Sequence, residues 1–99
     1  MDEASGKVIW LNRAEISLQK IFLYIYGEAP ETAAKFIEKL IEFGDSLGIL
    51  PEKYPLCRQK SFRKNRFHCA VFHKNYIFVY SIHNDQVILR NIVHASRLR

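Results

Sequence analysis

The 99 residues are 48% hydrophobic and 25% charged, with only four Gly and three Pro. This is the composition of a folded chain, not of one disordered throughout, and because domains seldom fall below about 50 residues, two independent cores are excluded as well. The formal charge of +5 is unevenly held: residues 1–52 carry five Lys/Arg against nine Asp/Glu (−4), whereas residues 53–99 carry ten against the single Asp85 (+9). A positive half attracts anionic partners without choosing among them. The longest apolar run, Ile21 to Tyr26, has six residues, against about 20 needed to cross a bilayer. The acidic, polar opening Met1 to Lys7 does not read as an export signal. A single cytoplasmic domain over residues 1–99 is expected, off the membrane, with residues 1–6 as a disordered tail.

In chain order, Val8 to Leu11 is a short apolar, β-branched and aromatic run that reads as a buried strand. Asn12 then fits a helix N-cap, with Glu15 completing a capping box and Leu11 and Ile16 at the staple positions. Ala14, Leu18, Ile21, Phe22 and Ile25 recur at spacings of three and four, which predicts a helix over 13–26 that stops at Gly27. Pro30 opens a second helix with Glu31 in its first turn. Its apolar face is Ala33, Phe36, Ile37, Leu40, Phe43, Leu47 and Leu50, while Gly44 and Gly48 weaken its last turns. A connector of a few residues makes the two helices an antiparallel hairpin, and Pro51 to Pro55 is a further connector.

Beyond it, Phe67 to Phe72, Tyr76 to Ile82 and Gln86 to Val93 are strand-length and rich in Val, Ile, Phe and Tyr, parted by Lys74-Asn75 and Asn84-Asp85. A further short strand is expected at Arg58 to Phe62. The order β-α-α-β-β-β predicts an α+β layer fold, an antiparallel sheet with the helix hairpin packed on one face. Arg58, Lys60, Arg63, Lys64 and Arg66 crowd into nine residues, and read either as a solvated basic loop or as an anion-facing surface. Cys57 and Cys69 are too few for a disulfide framework and are expected as two reduced thiols. With His68 and His73 they do not keep the spacing of a zinc site, so neither metal nor cofactor is expected.

Trp10 at a strand end, Ala14-x-x-x-Leu18-x-x-Ile21-x-x-Tyr24-Ile25, Ala33-x-x-Phe36-Ile37-x-x-Leu40, Leu47 with Pro55 beyond, Tyr76-x-x-x-Tyr80, and Val87-Ile88-Leu89-Arg90-Asn91-Ile92-Val93-His94 with Arg97 stand in one order. In that order the chain resembles the RelE/ParE superfamily of type II toxin-antitoxin, or plasmid stabilisation, toxins, from about Val8 to Arg97. The resemblance implies a growth-inhibiting toxin neutralised by a cognate antitoxin. It places antitoxin contacts at Leu18, Phe22, Phe36 and Leu40 of the hairpin and in the basic strand region. RelE-like members cleave mRNA on the ribosome; ParE-like members poison DNA gyrase.

Cleaving RNA without a metal needs a base for the 2′-hydroxyl, cations for the phosphate and an acid for the leaving oxygen. Here the candidates are His94 and Arg97 as catalytic groups, with Arg63, Arg90 and Tyr80 binding phosphate or target. Against the RelE-like pattern, Ile77 stands where the catalytic arginine belongs, the basic pair of the preceding strand falls on His68 and Ala70, and no tyrosine follows the last strand as far as Arg99. The ParE-like reading needs no catalytic set, because inhibiting gyrase is a binding event. In it Arg63, Tyr80, Arg90, His94 and Arg97 contact the target; the alternatives are a RelE-like metal-independent endoribonuclease or an inactive member.

Overall fold

A computed structural model describes residues 7–97, and the expected tail at 1–6 lies outside the described residues. Val8–Trp10 forms β1, followed by α1 (Asn12–Glu28) and α2 (Pro30–Ser46). A 3-10 turn at Pro51–Lys53 and a short helix α3 (Lys60–Lys64) lead into β2 (His68–Phe72), β3 (Tyr76–His83) and β4 (Gln86–His94), and a 3-10 turn at Ala95–Arg97 follows. The four strands make one sheet in the order β1-β4-β3-β2, with β1 parallel to β4 and the other pairs antiparallel. The expected α+β layering is thus present. No helix among the described residues is long and apolar enough to cross a membrane.

α1 starts differently from the expected capping box. Leu11, with extended backbone (φ −71°, ψ 156°), is the cap residue, and its carbonyl accepts the N–H groups of Ala14 (2.9 Å) and Glu15 (3.1 Å). Asn12 is already helical and makes no side-chain cap, and Ile16 is exposed rather than stapled. Gly27 does not stop the helix, because its φ is not positive and the helical bonds continue past it. The break comes at Ala29, whose N–H donates to Ile25 at 2.7 Å. Pro30, which cannot donate, then begins α2.

The hairpin covers the sheet face that carries Ala70, Phe78, Tyr80, Leu89 and Ile92, and meets it with Ala14, Leu40 and Leu47. Burying one such Leu contributes about 1.5–3 kcal/mol. The Phe43 ring packs on Phe72 (4.8 Å) and Phe78 (5.0 Å), clamping α2 to the sheet centre. Gly44, expected only to weaken its helix, is buried because Trp10 lies on it: a Cβ there would stand 2.6 Å from Trp10 Cζ2. The Trp10 Nε1–H donates to Asp45 Oδ1 at 2.9 Å, so the ring is pinned at both ends.

Both hairpin turns need left-handed backbone. His73 and Lys74 (φ 56° and 64°) make the first, so it sits one residue earlier than the expected Lys74-Asn75, and Asn84-Asp85 (φ 50° and 68°) make the second. That second turn is the two-residue type that matches strand twist, and Asn and Asp tolerate it best. Between the turns the β3–β4 register slips: Val79 faces Asn91 while Tyr80 faces Leu89, leaving Arg90 as an extra, bulged residue.

Two further expectations are corrected. Residues 58–62 do not form a strand. Leu56 makes a single bridge to His68 at the edge of β2, after which the chain turns back through α3. The thiols are not separate: Cys57 and Cys69 are joined, with Cα atoms 4.9 Å apart. Cys57 N–H donates to the Phe67 carbonyl (2.9 Å) and Cys69 N–H to that of Pro55 (3.1 Å), which lays the two segments side by side. That pairing is tertiary, and the spacing of the cysteines does not contain it.

Candidate functional site

β1 accompanies β4 only as far as Leu89. Past that point α1 borders the carboxyl half of β4, and a cleft of about 490 Å³ opens between them. Its helix wall is Ser17, Lys20 and Tyr24, one stripe at spacings of three and four. The strand wall includes Tyr76, Asn91 and His94. Asn91 takes the place of a strand partner at the exposed edge: its Oδ1 accepts the Ile92 N–H (2.9 Å) and the Ser17 hydroxyl (2.6 Å), tying helix to strand.

His94 stands at the mouth, exposed, with its ring edge-on to Tyr76 at 5.5 Å. The Ser96 N–H donates to His94 Nδ1 (3.3 Å), and the Ser96 hydroxyl lies 2.9 Å from the same atom. A backbone N–H can only donate, so Nδ1 is the acceptor and Nε2 carries the proton of the neutral ring. Burial, and secondarily the neighbouring Tyr24, push the Tyr76 phenol above its ordinary pKa, so it stays protonated. The cleft therefore offers one imidazole, one ammonium and neutral hydroxyls, and no carboxylate among the described residues lines it.

The other residues singled out from sequence are dispersed. Arg90, at the bulge, points to the sheet face away from the helices, where its guanidinium lies 4.8 Å over Phe67 and donates to Ser81 Oγ at 2.9 Å. His83 Nε2 is 3.1 Å from that same hydroxyl. Tyr80, expected to touch a target, is instead fully buried: it stacks on His68 and donates its hydroxyl to the Pro51 carbonyl at 2.6 Å. Its pKa is raised, first by burial and then by Tyr54 and Glu52. Arg63 is exposed on α3. Arg97 belongs to the closing 3-10 turn, and only its backbone is described.

On the outside of the hairpin, Leu18, Phe22, Leu23 and Ile37 line an almost wholly apolar groove of about 400 Å³. Two of the four residues expected to meet an antitoxin, Leu18 and Phe22, are in it. The other two are not: Leu40 is fully buried, and Phe36 packs against Phe72, His73 and Tyr76. Both belong to the stripe of α2 that faces the sheet. Sequence reasoning passed over Ser17, Lys20 and Tyr24, although their spacing beside the apolar stripe of α1 was a usable signal. Tyr76 and Asn91 carried no such signal as cleft residues.

A family model described as the ParE toxin of the type II toxin-antitoxin system, parDE, matches residues 8–99. Among solved structures, one titled "Chromosomal ParDE TA system from P. aeruginosa" superposes with a TM-score of 0.77, covering 91% of this chain and 96% of that chain at 12% identity. At that identity the likeness is one of fold. A search of curated proteins finds no match.

Proposed function

The chain belongs to the ParE toxin family of type II toxin-antitoxin systems, and from that premise we propose that it inhibits growth by binding DNA gyrase and is neutralised by a cognate antitoxin. Separation of the catalytic candidate His94 from the phosphate-binding candidates Tyr80 and Arg90 supports binding over cleavage. Tyr80 is spent in the core, Arg90 is fixed on the outer sheet face, and His94 faces a cleft on the helix side. No transition state of a phosphodiester reaches all three. The antitoxin reading rests on the apolar groove of Leu18, Phe22, Leu23 and Ile37, where Leu23 is 66% exposed. Such a groove suits the apolar face of an amphipathic segment.

A second reading, ribonuclease action, is favoured by one observation: His94 and Lys20 line the same cleft. Inducing the chain alone in a bacterial host, with a DNA-damage reporter and amino-acid incorporation followed in parallel, separates the two. Gyrase poisoning gives DNA damage while translation is still intact. An immediate fall in translation with cleaved messages, abolished by His94→Ala, would replace the first reading by the second.

A further inference from the structure

The most basic segment of the chain is not a slack loop. From the bridge at Leu56 it leaves the edge of β2, and it returns at Phe67, with the Cys57–Cys69 disulfide closing its base. Inside, Arg63 N–H donates to Gln59 (2.8 Å), Asn65 Nδ2–H to Ser61 (2.9 Å), Arg66 N–H to Arg63 (2.9 Å) and Phe67 N–H to Phe62 (2.9 Å). The rings of Phe62 and Phe67 pack at 6.1 Å across the neck. Nearly every polar backbone contact of the segment is thus internal, which makes it a small, stapled finger.

This finger holds Arg58, Lys60, Arg63, Lys64 and Arg66, all exposed. No Asp or Glu occurs anywhere between Glu52 and Asp85. None of the five cations has an ion pair, side-chain hydrogen bond or ring contact among the described residues. Lys60, Arg63 and Lys64 stand at i, i+3 and i+4 of α3 and so share one face. Like charges held this close repel one another, and an external anion of several charges relieves them more fully than scattered counterions do. The finger's two rings, Phe62 and Phe67, are half-buried and spent on each other, and Arg90 lies over Phe67, which leaves them poor platforms for base stacking. Contacts to phosphate alone favour a duplex, whose bases are already stacked, over single strands.

We propose that the disulfide-closed finger Cys57–Cys69 grips the phosphate backbone of duplex DNA, without regard to sequence, through Lys60, Arg63 and Lys64 flanked by Arg58 and Arg66. The proposal stands whether or not gyrase is the target, since it concerns the toxin and DNA alone.

The test is fluorescence anisotropy of the purified full chain with a mixed-sequence DNA duplex as salt is raised. Three to five phosphate contacts give a slope of log K against log salt of about −2.7 to −4.5, a weakening of about 40- to 500-fold between 50 and 200 mM salt. Arg63→Ala with Lys64→Ala flattens the slope by about 1.8, Arg63→Lys with Lys64→Arg keeps it, and Lys39→Ala on α2 leaves it unchanged. Absence of binding at 50 mM salt, or a slope indifferent to the double alanine variant, would overturn the proposal. So would polyglutamate displacing the duplex at equal charge concentration, which would point to an acidic protein, or RNA duplex binding tenfold more tightly than DNA.

Discussion

Replacing Gly44 by alanine isolates the contact that seats β1 on α2. The new methyl carbon would lie 2.6 Å from Trp10 Cζ2, 3.0 Å from Cη2 and 3.3 Å from Phe78 Cε2. Carbon pairs are at ease at about 3.5–4.0 Å, so the indole would have to retreat by about 0.9 Å. Neither neighbour is a free side-chain tip: Trp10 is tethered to Asp45, and Phe78 is fully buried. Overpacking of this kind costs about 1–3 kcal/mol, while the helix propensity of Ala returns about 1 kcal/mol. With the closest approach so short, the clash wins by about 1–2 kcal/mol, a fall in Tm of about 4–16 °C for a domain of this size. Gly27→Ala is the matched control, since nothing lies within 4 Å of its would-be Cβ. There only the propensity gain of up to about 1 kcal/mol remains, and Tm rises. Thermal unfolding followed by circular dichroism gives both values, and the emission of Trp10, the only tryptophan, reports displacement of the ring. If Gly44→Ala stabilised the protein as Gly27→Ala does, the packing argument would be refuted.

Other outcomes follow from the same structure. Cys57→Ser with Cys69→Ser opens a loop spanning 12 residues of sequence separation, and chain entropy sets the loss near 3 kcal/mol by urea unfolding without reductant; an unchanged midpoint would contradict it. Tyr80→Phe removes the hydroxyl's bond to the Pro51 carbonyl and costs about 1–2 kcal/mol. Because the folded pKa of Tyr80 is raised above the unfolded value of 10.0, the unfolded state loses its proton first as pH climbs. Stability is therefore full below that value and declines above it, and Tyr80→Phe should show a shallower alkaline decline. His94→Ala should leave most of the toxicity if the protein acts by binding gyrase, because it removes one contact among several, whereas loss of a catalytic group would abolish it, read as colony formation after induction.

The reach of the sequence differed by kind of interaction. The stripe of Ala14, Leu18 and Ile21 and the start of α2 at Pro30 were legible because they depend on local period and on proline's missing N–H. The N-cap at Asn12 was misread, since the carbonyl of Leu11, held by β1, already satisfies the first N–H groups. At β4, simple alternation would put Arg90 on the same face as Ile92 and His94. The bulge moves it to the opposite face, and nothing in the residues 89–91 announces a slipped register. Tyr80 looked available because its residue type does not tell which face of its strand meets the helices, while Leu40 was set on the apolar face of α2 by its period and assigned to an antitoxin only by resemblance. Cys57 and Cys69 are brought together by the pairing of the Leu56 segment with β2, a tertiary contact.

The sheet order also governs when the molecule can exist. β1 pairs with β4, Val8 against Val87 and Trp10 against Leu89, so the first strand of the fold waits for the last. Until β4 has been synthesised, β1 has no neighbour and the hairpin has no complete sheet to cover, because long-range pairing must follow loop closure. A growing chain therefore passes most of its synthesis with the apolar faces of α1 and α2 unclothed, and the architecture is acquired in one late step. For a member of a toxin family, this means that a partly made copy lacks the finished fold, and that the interval before closure belongs to whatever meets the bare helices first.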